Sequence, residues 1–313
     1  MSQPMSQTQL LLELEPVVEE NLNRHLSMAK EWFPHDYIPW SDGRNFDGLM
    51  GGEPWAESDS DISDVARSAL IVNLLTEDNL PSYHHEIATL FGRDAAWGDW
   101  VHRWTAEEGR HGIAIRDYLL TTRAVDPVQL EQLRMDHMSV GYTAQHDDML
   151  RSLAYVSFQE LATRVSHRNT GRVTDDPVAD QLLARVAADE NLHMVFYRNL
   201  LGAALEIAPD QTMRAITDVV TTFQMPGADI AGFQRKAVEM AIAGVYDIRQ
   251  HKDDVVAPVL RYWKVFELEG LCPEGEQART ELADFLEDLE KQALRFEEKR
   301  DKLQARMAAR AAR

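Results

Sequence analysis

The chain has a single cysteine in 313 residues, Cys272, which excludes an internal disulfide. No apolar run approaches the roughly 18 residues that a membrane-spanning helix needs. No basic residue precedes Arg24, which argues against a secretory leader. There is no proline-, glycine- or serine-rich tract and no low-complexity run to divide the chain, so one domain over residues 1–313 is expected. Strand-like alternation is scarce beside long stretches rich in Ala, Leu, Glu and Arg, which predicts an all-α fold. Bases are outnumbered, 32 Lys and Arg against 52 Asp and Glu, and the formal charge of −20 disfavours nucleic acid or an anionic membrane surface as partner. A soluble, cytoplasmic helical protein is what remains.

What the chain does have is a motif that returns. Trp104-Thr105-Ala106-Glu107-Glu108-Gly109-Arg110-His111 is echoed by Ala188-Asp189-Glu190-Asn191-Leu192-His193. In both, a His follows a Glu by three positions, one helical turn away on the same face, where both side chains can reach one metal ion. With 11 His and 25 Glu in the chain, about one such pairing arises by accident. The weight therefore rests on what precedes each copy. Glu77 lies 31 residues before Glu108 and Glu160 lies 30 before Glu190, each inside an apolar helical pattern. The chain thus twice makes a helix with one Glu and then a helix with Glu-x-x-His, a repeat with pseudo-twofold character.

A Glu from each of two helices and a Glu-x-x-His from each of two others is the ligand set by which a four-helix bundle holds two iron or manganese ions. Four carboxylates offset most of the charge of two divalent ions, and oxygen and nitrogen donors suit either metal. The rival account, four buried acids balanced by Arg and Lys, needs more bases than the few these segments carry, and each unpaired buried carboxylate costs several kcal/mol.

Around this centre the pattern predicts a helix over 8–31, with Leu10, Leu14, Val17, Val18, Leu22 and Leu26 on its apolar face. Trp32 to Trp40, broken twice by proline, should be an extended segment over the bundle, and 41–60 a loop. Asp61 or Ser63 should cap a helix through Glu77 that continues past Pro81 with a kink. Further helices are expected over Ala95–Thr122, to about His137, from Asp148 to His167 with a stop at Asn169-Thr170-Gly171, and from Asp176-Pro177 through His193. This gives a bundle core over about 61–206. Peripheral helices over 8–31 and 209–313 would be broken at Met225-Pro226-Gly227, at Pro258 and at Cys272-Pro273.

With these residues in view the sequence resembles the soluble acyl-acyl carrier protein desaturases, the plant stearoyl type and more closely its mycobacterial branch. The resemblance covers nearly the whole chain. It rests on Thr76-Glu77-Asp78-Asn79-Leu80-Pro81-Ser82-Tyr83, on Trp104 to Gly112, on Ser157 to Thr163 continuing to Ser166-His167-Arg168-Asn169-Thr170, on the echo at Ala188 to His193, on Met225-Pro226 and on Arg261-Tyr262-Trp263-Lys264-Val265. It implies a ferritin-like di-iron bundle working as a homodimer. The implied activity places a cis double bond in an acyl chain held on acyl carrier protein, using O2 and two electrons from a ferredoxin. The mycobacterial likeness adds a role in long-chain or mycolic acid precursors.

The family's iron ligands fall on Glu77, Glu108, His111, Glu160, Glu190 and His193, the six that spacing proposed. The chain departs from the family pattern at Gly109, where Asn is usual, and in a connection around Gln145 to Leu150 that looks shortened.

Other roles follow from the same resemblance. Thr163 becomes a proton-handling residue beside the metals, against the plain reading of a Thr bonded back to a helical carbonyl. Trp32, His111 and Asp189 form an electron path. Pseudo-symmetry lets Asp189 serve His111 as Glu107 serves His193. Lys30, with Arg24 nearby, matches a basic position at the channel mouth and would meet the carrier protein. Trp97 and Trp100 read as packing. His84, His85, His102 and His167 lack an acid partner in the motif and read as ordinary surface or core histidines.

Rival functions share the metal site. A ribonucleotide reductase radical subunit would carry a Tyr one turn after its first metal-binding His, where this chain has Ile115. A ferritin relative would be much shorter. A non-catalytic di-iron homologue kept as partner of an active desaturase is the alternative that activity measurements would separate.

Overall fold

A computed structural model describes residues 4–145, 148–225 and 233–311. Its helices are α1 (Gln7–Met28), α2 (Asp64–Asp78), α3 (Leu80–Phe91), α4 (Ala95–Thr121), α5 (Pro127–Val140), α6 (Met149–Thr174), α7 (Pro177–Ile207), α8 (Pro209–Thr222), α9 (Phe233–Ile242), α10 (Ile248–Gln250), α11 (Ala257–Trp263) and α12 (Pro273–Ala311). Among the described residues no strand forms beyond one isolated bridge, Phe46 to Glu53. No helix there is long and apolar enough to cross a membrane.

Helices α2, α4, α6 and α7 make a ferritin-like four-helix bundle, with α1 laid across α4 and α7 and α8 bound between α6 and α12. Local signals start these helices where the chain needs them. Ser63 caps α2 by accepting from the Ala66 N–H, and Pro127 and Pro177 open α5 and α7 behind Asp126 and Asp176 caps. The kink before Pro81 falls at Asn79, which ends α2 and starts α3.

The core is layered along the bundle axis. One apolar cluster takes Trp97 to Trp104 of α4, Leu153 to Ala162 of α6 and Met194 to Leu205 of α7. Another takes Leu70 and Leu74 of α2, Ala114 to Leu119 of α4 and Ala179 to Val186 of α7. Glu108 and His111 of α4 and Glu190 and His193 of α7 occupy the gap between the clusters on their helices, and Glu77 follows the second cluster in the last turn of α2. A charged layer is thereby closed off by apolar side chains on both sides.

Four expectations are corrected. The helix predicted to stop at Asn169-Thr170-Gly171 runs on to Thr174 and ends at Asp175 in the left-handed conformation. Gly171 serves close approach instead, since a Cβ there would lie 2.9 Å from Asp180 Oδ1 and 3.1 Å from Asp180 Cα at the start of α7. Pro258 does not break the chain. It sits inside α11, and a π turn over His251–Val256 just before it absorbs the missing N–H and the clash with the preceding turn.

The Trp32–Trp40 segment is not extended, because Pro34 starts one 3-10 turn and Trp40 another. Leu26 is 49% exposed, and His25 takes the inward place on α1. Of the expected break at Met225-Pro226-Gly227, the last two residues lie outside the described residues, as do His146 and Asp147 of the shortened connection.

Gly109 sits in the middle of α4 with ordinary space around it, its nearest contact for a Cβ being Leu80 Cδ2 at 3.7 Å. Helical glycine costs about 1 kcal/mol relative to alanine. Gly109→Ala should therefore stabilise the protein by about that amount in chemical denaturation, and a loss of stability would contradict this packing.

Candidate metal centre

The bundle brings six of the sequence-derived residues into one layer, none more than 8% exposed. Glu77 comes from the last turn of α2, Glu108 and His111 from α4, Glu160 from α6, and Glu190 and His193 from α7. They fall into two overlapping groups whose donor atoms lie within 4.8 Å of one another, Glu77–Glu108–His111–Glu190 and Glu108–Glu160–Glu190–His193. Glu108 and Glu190 belong to both. Each half thus has one carboxylate and one imidazole of its own and two carboxylates in common.

His111 Nδ1 lies 3.2 Å from Glu190 Oε1 and 3.4 Å from Glu108 Oε2. His193 Nδ1 lies 2.7 Å from Glu108 Oε1 and 3.5 Å from Glu160 Oε2.

These side chains are held from outside and unmatched inside. Glu160 Oε1 accepts from Trp104 Nε1 at 3.0 Å, Glu77 Oε1 is 3.0 Å from His167 Nε2, Glu190 Oε2 accepts from Thr163 Oγ1 at 2.9 Å, and His193 Nε2 is 2.9 Å from Glu107 Oε2. By contrast His111 Nδ1, His193 Nδ1, Glu108 Oε1, Glu160 Oε2 and Glu190 Oε1 are buried and, although as close as 2.7 Å to one another, meet no partner in hydrogen-bond geometry. Buried polar atoms are nearly always satisfied, so five unmatched ligand atoms converging on one layer are the mark of a cation site. The donor set, carboxylate oxygen with imidazole nitrogen, suits iron or manganese.

Electrostatics say the same. Burial, then the charges of Glu108 and Glu190, push the Glu160 carboxyl well above its ordinary range, against the pull of His193. Burial would lower both imidazoles, but neighbouring carboxylates, Glu108 among them, outweigh it and hold His111 and His193 well above the usual histidine value. Protons stand in for positive charge here. Metal ligation needs neutral imidazole and carboxylate, so cation uptake releases those protons and tightens as pH rises.

The outer shell joins residues the motif suggested and others it did not. Trp32 Nε1 donates to Asp189 Oδ2 at 2.7 Å, and that oxygen is 3.6 Å from His111 Nε2. The Trp32 and His111 rings lie 6.4 Å apart and nearly parallel, with Arg110 over the indole. Burial opposes ionisation of Asp189, yet His111, Trp32 and Arg185 bring its pKa down to about 2. Thr163 faces Glu190 and also the Gln159 and Glu160 carbonyls at 3.1 and 3.0 Å, so both readings of its single hydroxyl proton are present at once.

His167, read as a surface or core histidine with no acid partner in the motif, is a core residue and meets Glu77. That partner is 90 residues away, so no local motif shows it, though His167 falls seven residues after Glu160 on the same face of α6. His25 is also inside, 2.9 Å from Glu107 Oε2. The signal for it was its place on the buried stripe Leu14, Val18, Leu22, His25. His84 pairs with Thr105, and His85 and His102 are at the surface.

Trp97 and Trp100 are packing residues, the latter stacked 3.5 Å from Phe196. Lys30 and Arg24 are exposed, at and just past the end of α1.

A narrow cavity of about 70 Å³ opens on this layer. Glu77, Glu108, Glu190 and Thr163 border it at one end, and Tyr83, Ile87, Leu90, Tyr155 and Val156 of α3 and α6 line its length. Its lining on α6 runs from Thr163 to Ser152, roughly 16 Å along the helix at 1.5 Å per residue.

Comparison with known proteins gives four concordant findings. A model of the fatty acid desaturase family matches residues 6–312. The DesA1 protein of Mycobacterium tuberculosis, named for acyl-[acyl-carrier-protein] desaturation, is 55% identical over 305 residues, 95% of this chain and 90% of its own. The chloroplastic stearoyl-[acyl-carrier-protein] 9-desaturase of Gossypium hirsutum is 31% identical over 317 residues, 95% of this chain and 78% of its own. The X-ray structure of the Mycobacterium tuberculosis DesA2 protein superposes with a TM-score of 0.70 at 34% identity, covering 86% of this chain and 98% of that one.

Proposed function

The chain belongs to the fatty acid desaturase family, and from that premise we infer that it is an acyl-acyl carrier protein desaturase, an enzyme that removes two hydrogens from an acyl chain carried on acyl carrier protein. The observation that carries the reading is the charged layer of two overlapping ligand groups, with unmatched inward atoms, opening directly on an apolar cavity. Glu77, Glu108, His111, Glu160, Glu190 and His193 would hold two iron ions per chain, Glu108 and Glu190 being common to both. When bound, the irons supply the O2-dependent oxidising power that an unactivated C–H bond requires and that acid-base side chains lack.

The chain's own residues do the rest. Tyr83, Ile87, Leu90 and Val156 give the acyl chain an apolar, water-excluding channel and set which carbons pass the ligand layer. Thr163, bordering the cavity and bonded to Glu190, can hold or hand over a proton at that carboxylate's outer oxygen. Glu107 orients His193 through Nε2, and Asp189, 3.6 Å from His111 Nε2, stands where it can do the same for His111, so that both Nδ1 atoms would be free to ligate. We propose further that the protein is a cytoplasmic homodimer reduced by a ferredoxin. Iron-loaded protein given ferredoxin, reductant, O2 and acyl carriers of several lengths should yield products two hydrogens lighter by mass spectrometry. Unchanged acyl chains at every length would favour a non-catalytic partner protein.

Two residues carry further expectations. Trp32 bridges the aromatic segment to Asp189, and that carboxylate keeps Arg110 and Arg185 when the indole N–H is removed. Trp32→Phe should therefore leave iron content and melting temperature near wild type while slowing reduction by ferredoxin by roughly tenfold in stopped flow. A wild-type rate would make Trp32 a packing residue.

Lys30 stands exposed between α1 and Trp32 on a chain of charge −20, where an acidic carrier needs a local basic contact, and Arg24 lies close enough to Arg198 for their charges to act on each other. Lys30→Glu should raise KM for acyl carrier substrates by about fivefold, the equivalent of about 1 kcal/mol, and flatten its salt dependence. Unchanged KM would remove Lys30 from the interface.

A further inference from the structure

The two imidazoles of the ligand layer are supported by different means. His111 leans on Asp189, which already has Trp32, Arg110 and Arg185 as donors. His193 leans on Glu107, and Glu107 takes a second imidazole on the same oxygen. Both His25 Nε2 and His193 Nε2 lie 2.9 Å from Glu107 Oε2, while Arg103 pairs with Oε1. The His25 ring is 1% exposed, stacked 5.8 Å from the His193 ring and set edge-on to Trp100 at 5.1 Å.

Glu107 meets Arg103 at Oε1 and two ring nitrogens at Oε2, so this carboxylate serves as the acceptor and both imidazoles donate to it through Nε2–H. That fixes His193 with Nδ1 facing Glu108 and Glu160, the position from which it can ligate. It also accounts for His25 Nδ1, which is buried without a partner: a proton there would be an unsatisfied donor.

We infer that His25 is a positioning residue for the Glu108–Glu160–Glu190–His193 half of the centre, acting through Glu107 to fix the tautomer and ring plane of His193. The end of α1 and the turn after it thus supply one N–H to the outer acid of each half, His25 to Glu107 and Trp32 to Asp189. His25 meets the ligand set only at His193 and does not line the cavity, so its effect is on one half only.

The inference rests on the reading that the six residues bind two ions, and the test separates the two. Anaerobic Fe2+ titration, or Co2+ followed by its visible absorption, should give two ions per wild-type chain; fewer would sink the iron reading itself. His25→Phe and His25→Met, which fill the site without an N–H donor, should keep one ion at wild-type affinity and bind the second about 10- to 100-fold more weakly. His25→Gln, whose amide can donate to Glu107, should bring that second affinity back near wild type. Wild-type titrations for Phe and Met, or a Gln variant as weak as they are, would overturn the inference. If the variants fold poorly, imidazole nitrogen NMR of the metal-free wild-type protein decides. A proton on His25 Nε2 is required, and a proton on Nδ1 alone would contradict it.

Discussion

Glu108→Ala and Glu190→Ala should each leave a protein that binds no iron tightly, whereas Glu77→Ala and Glu160→Ala should each retain about one ion per chain. The difference comes from how the two groups overlap. Glu108 and Glu190 donate to both, while Glu77 and Glu160 belong to one half each. Removing a shared carboxylate takes a ligand and a charge from two sites at once. With both ions gone nothing in the protein supplies the oxidising power for the C–H bond, so turnover should fall by at least about 1,000-fold, to the background of the assay.

Stability should move the other way in metal-free protein. Four acids are buried against fewer bases there, and Glu108 and Glu190 both push the Glu160 carboxyl upward. Glu108→Gln keeps the volume but removes one charge, so its metal-free form should be more stable than wild type by about 1–3 kcal/mol. Metal addition should stabilise wild type by RT ln(1 + [M]/Kd), about 2.7 kcal/mol at 100 times Kd, and the variant hardly at all. Iron analysis and denaturant melts with and without metal check both. Equal iron losses in all four Ala variants would contradict the shared-ligand geometry.

Blocking the channel gives the second large effect. Val156 is buried on α6 one turn before Glu160 and lines the cavity. A bulky ring at Val156 projects into the space through which an acyl chain reaches the ligand layer, and displacing a reacting carbon by about 1 Å costs on the order of 100-fold. Val156→Trp should lower kcat/KM for all acyl carriers by at least about that factor. Iron stoichiometry and the rate of reduction by ferredoxin should stay near wild type, because the substitution touches no ligand. Overpacking of about 1–3 kcal/mol is the expected cost in stability. Full activity in a folded Val156→Trp protein would mean the chain reaches the metals by another route.

The ligand layer was legible in the sequence because its geometry is local in part. Glu108 with His111 and Glu190 with His193 are one helical turn apart, and that relation survives in any bundle. Glu77 and Glu160 were legible because an isolated acid in an apolar helical pattern is costly unless matched. His167 and His25 were not singled out. Their partners stand 90 and 82 residues away, so only tertiary packing makes the pairs.

The misplaced helix stop at Gly171 has a similar cause. Glycine next to Asn and Thr reads as a terminator, but here it lets α7 start against α6. Pro258 read as a break because a π turn, which no local composition announces, takes up the strain. The place of the cavity between α3 and α6 was not legible, because it depends on the break at Asn79 that ends α2 and starts α3.

Loading the wild-type protein anaerobically with 57Fe2+ and recording iron per chain together with the Mössbauer spectrum tests the centre most directly. Two irons per chain, magnetically coupled after oxidation, is the predicted result. One iron at saturation, or two that behave as isolated ions, would contradict a centre built from Glu77, Glu108, His111, Glu160, Glu190 and His193.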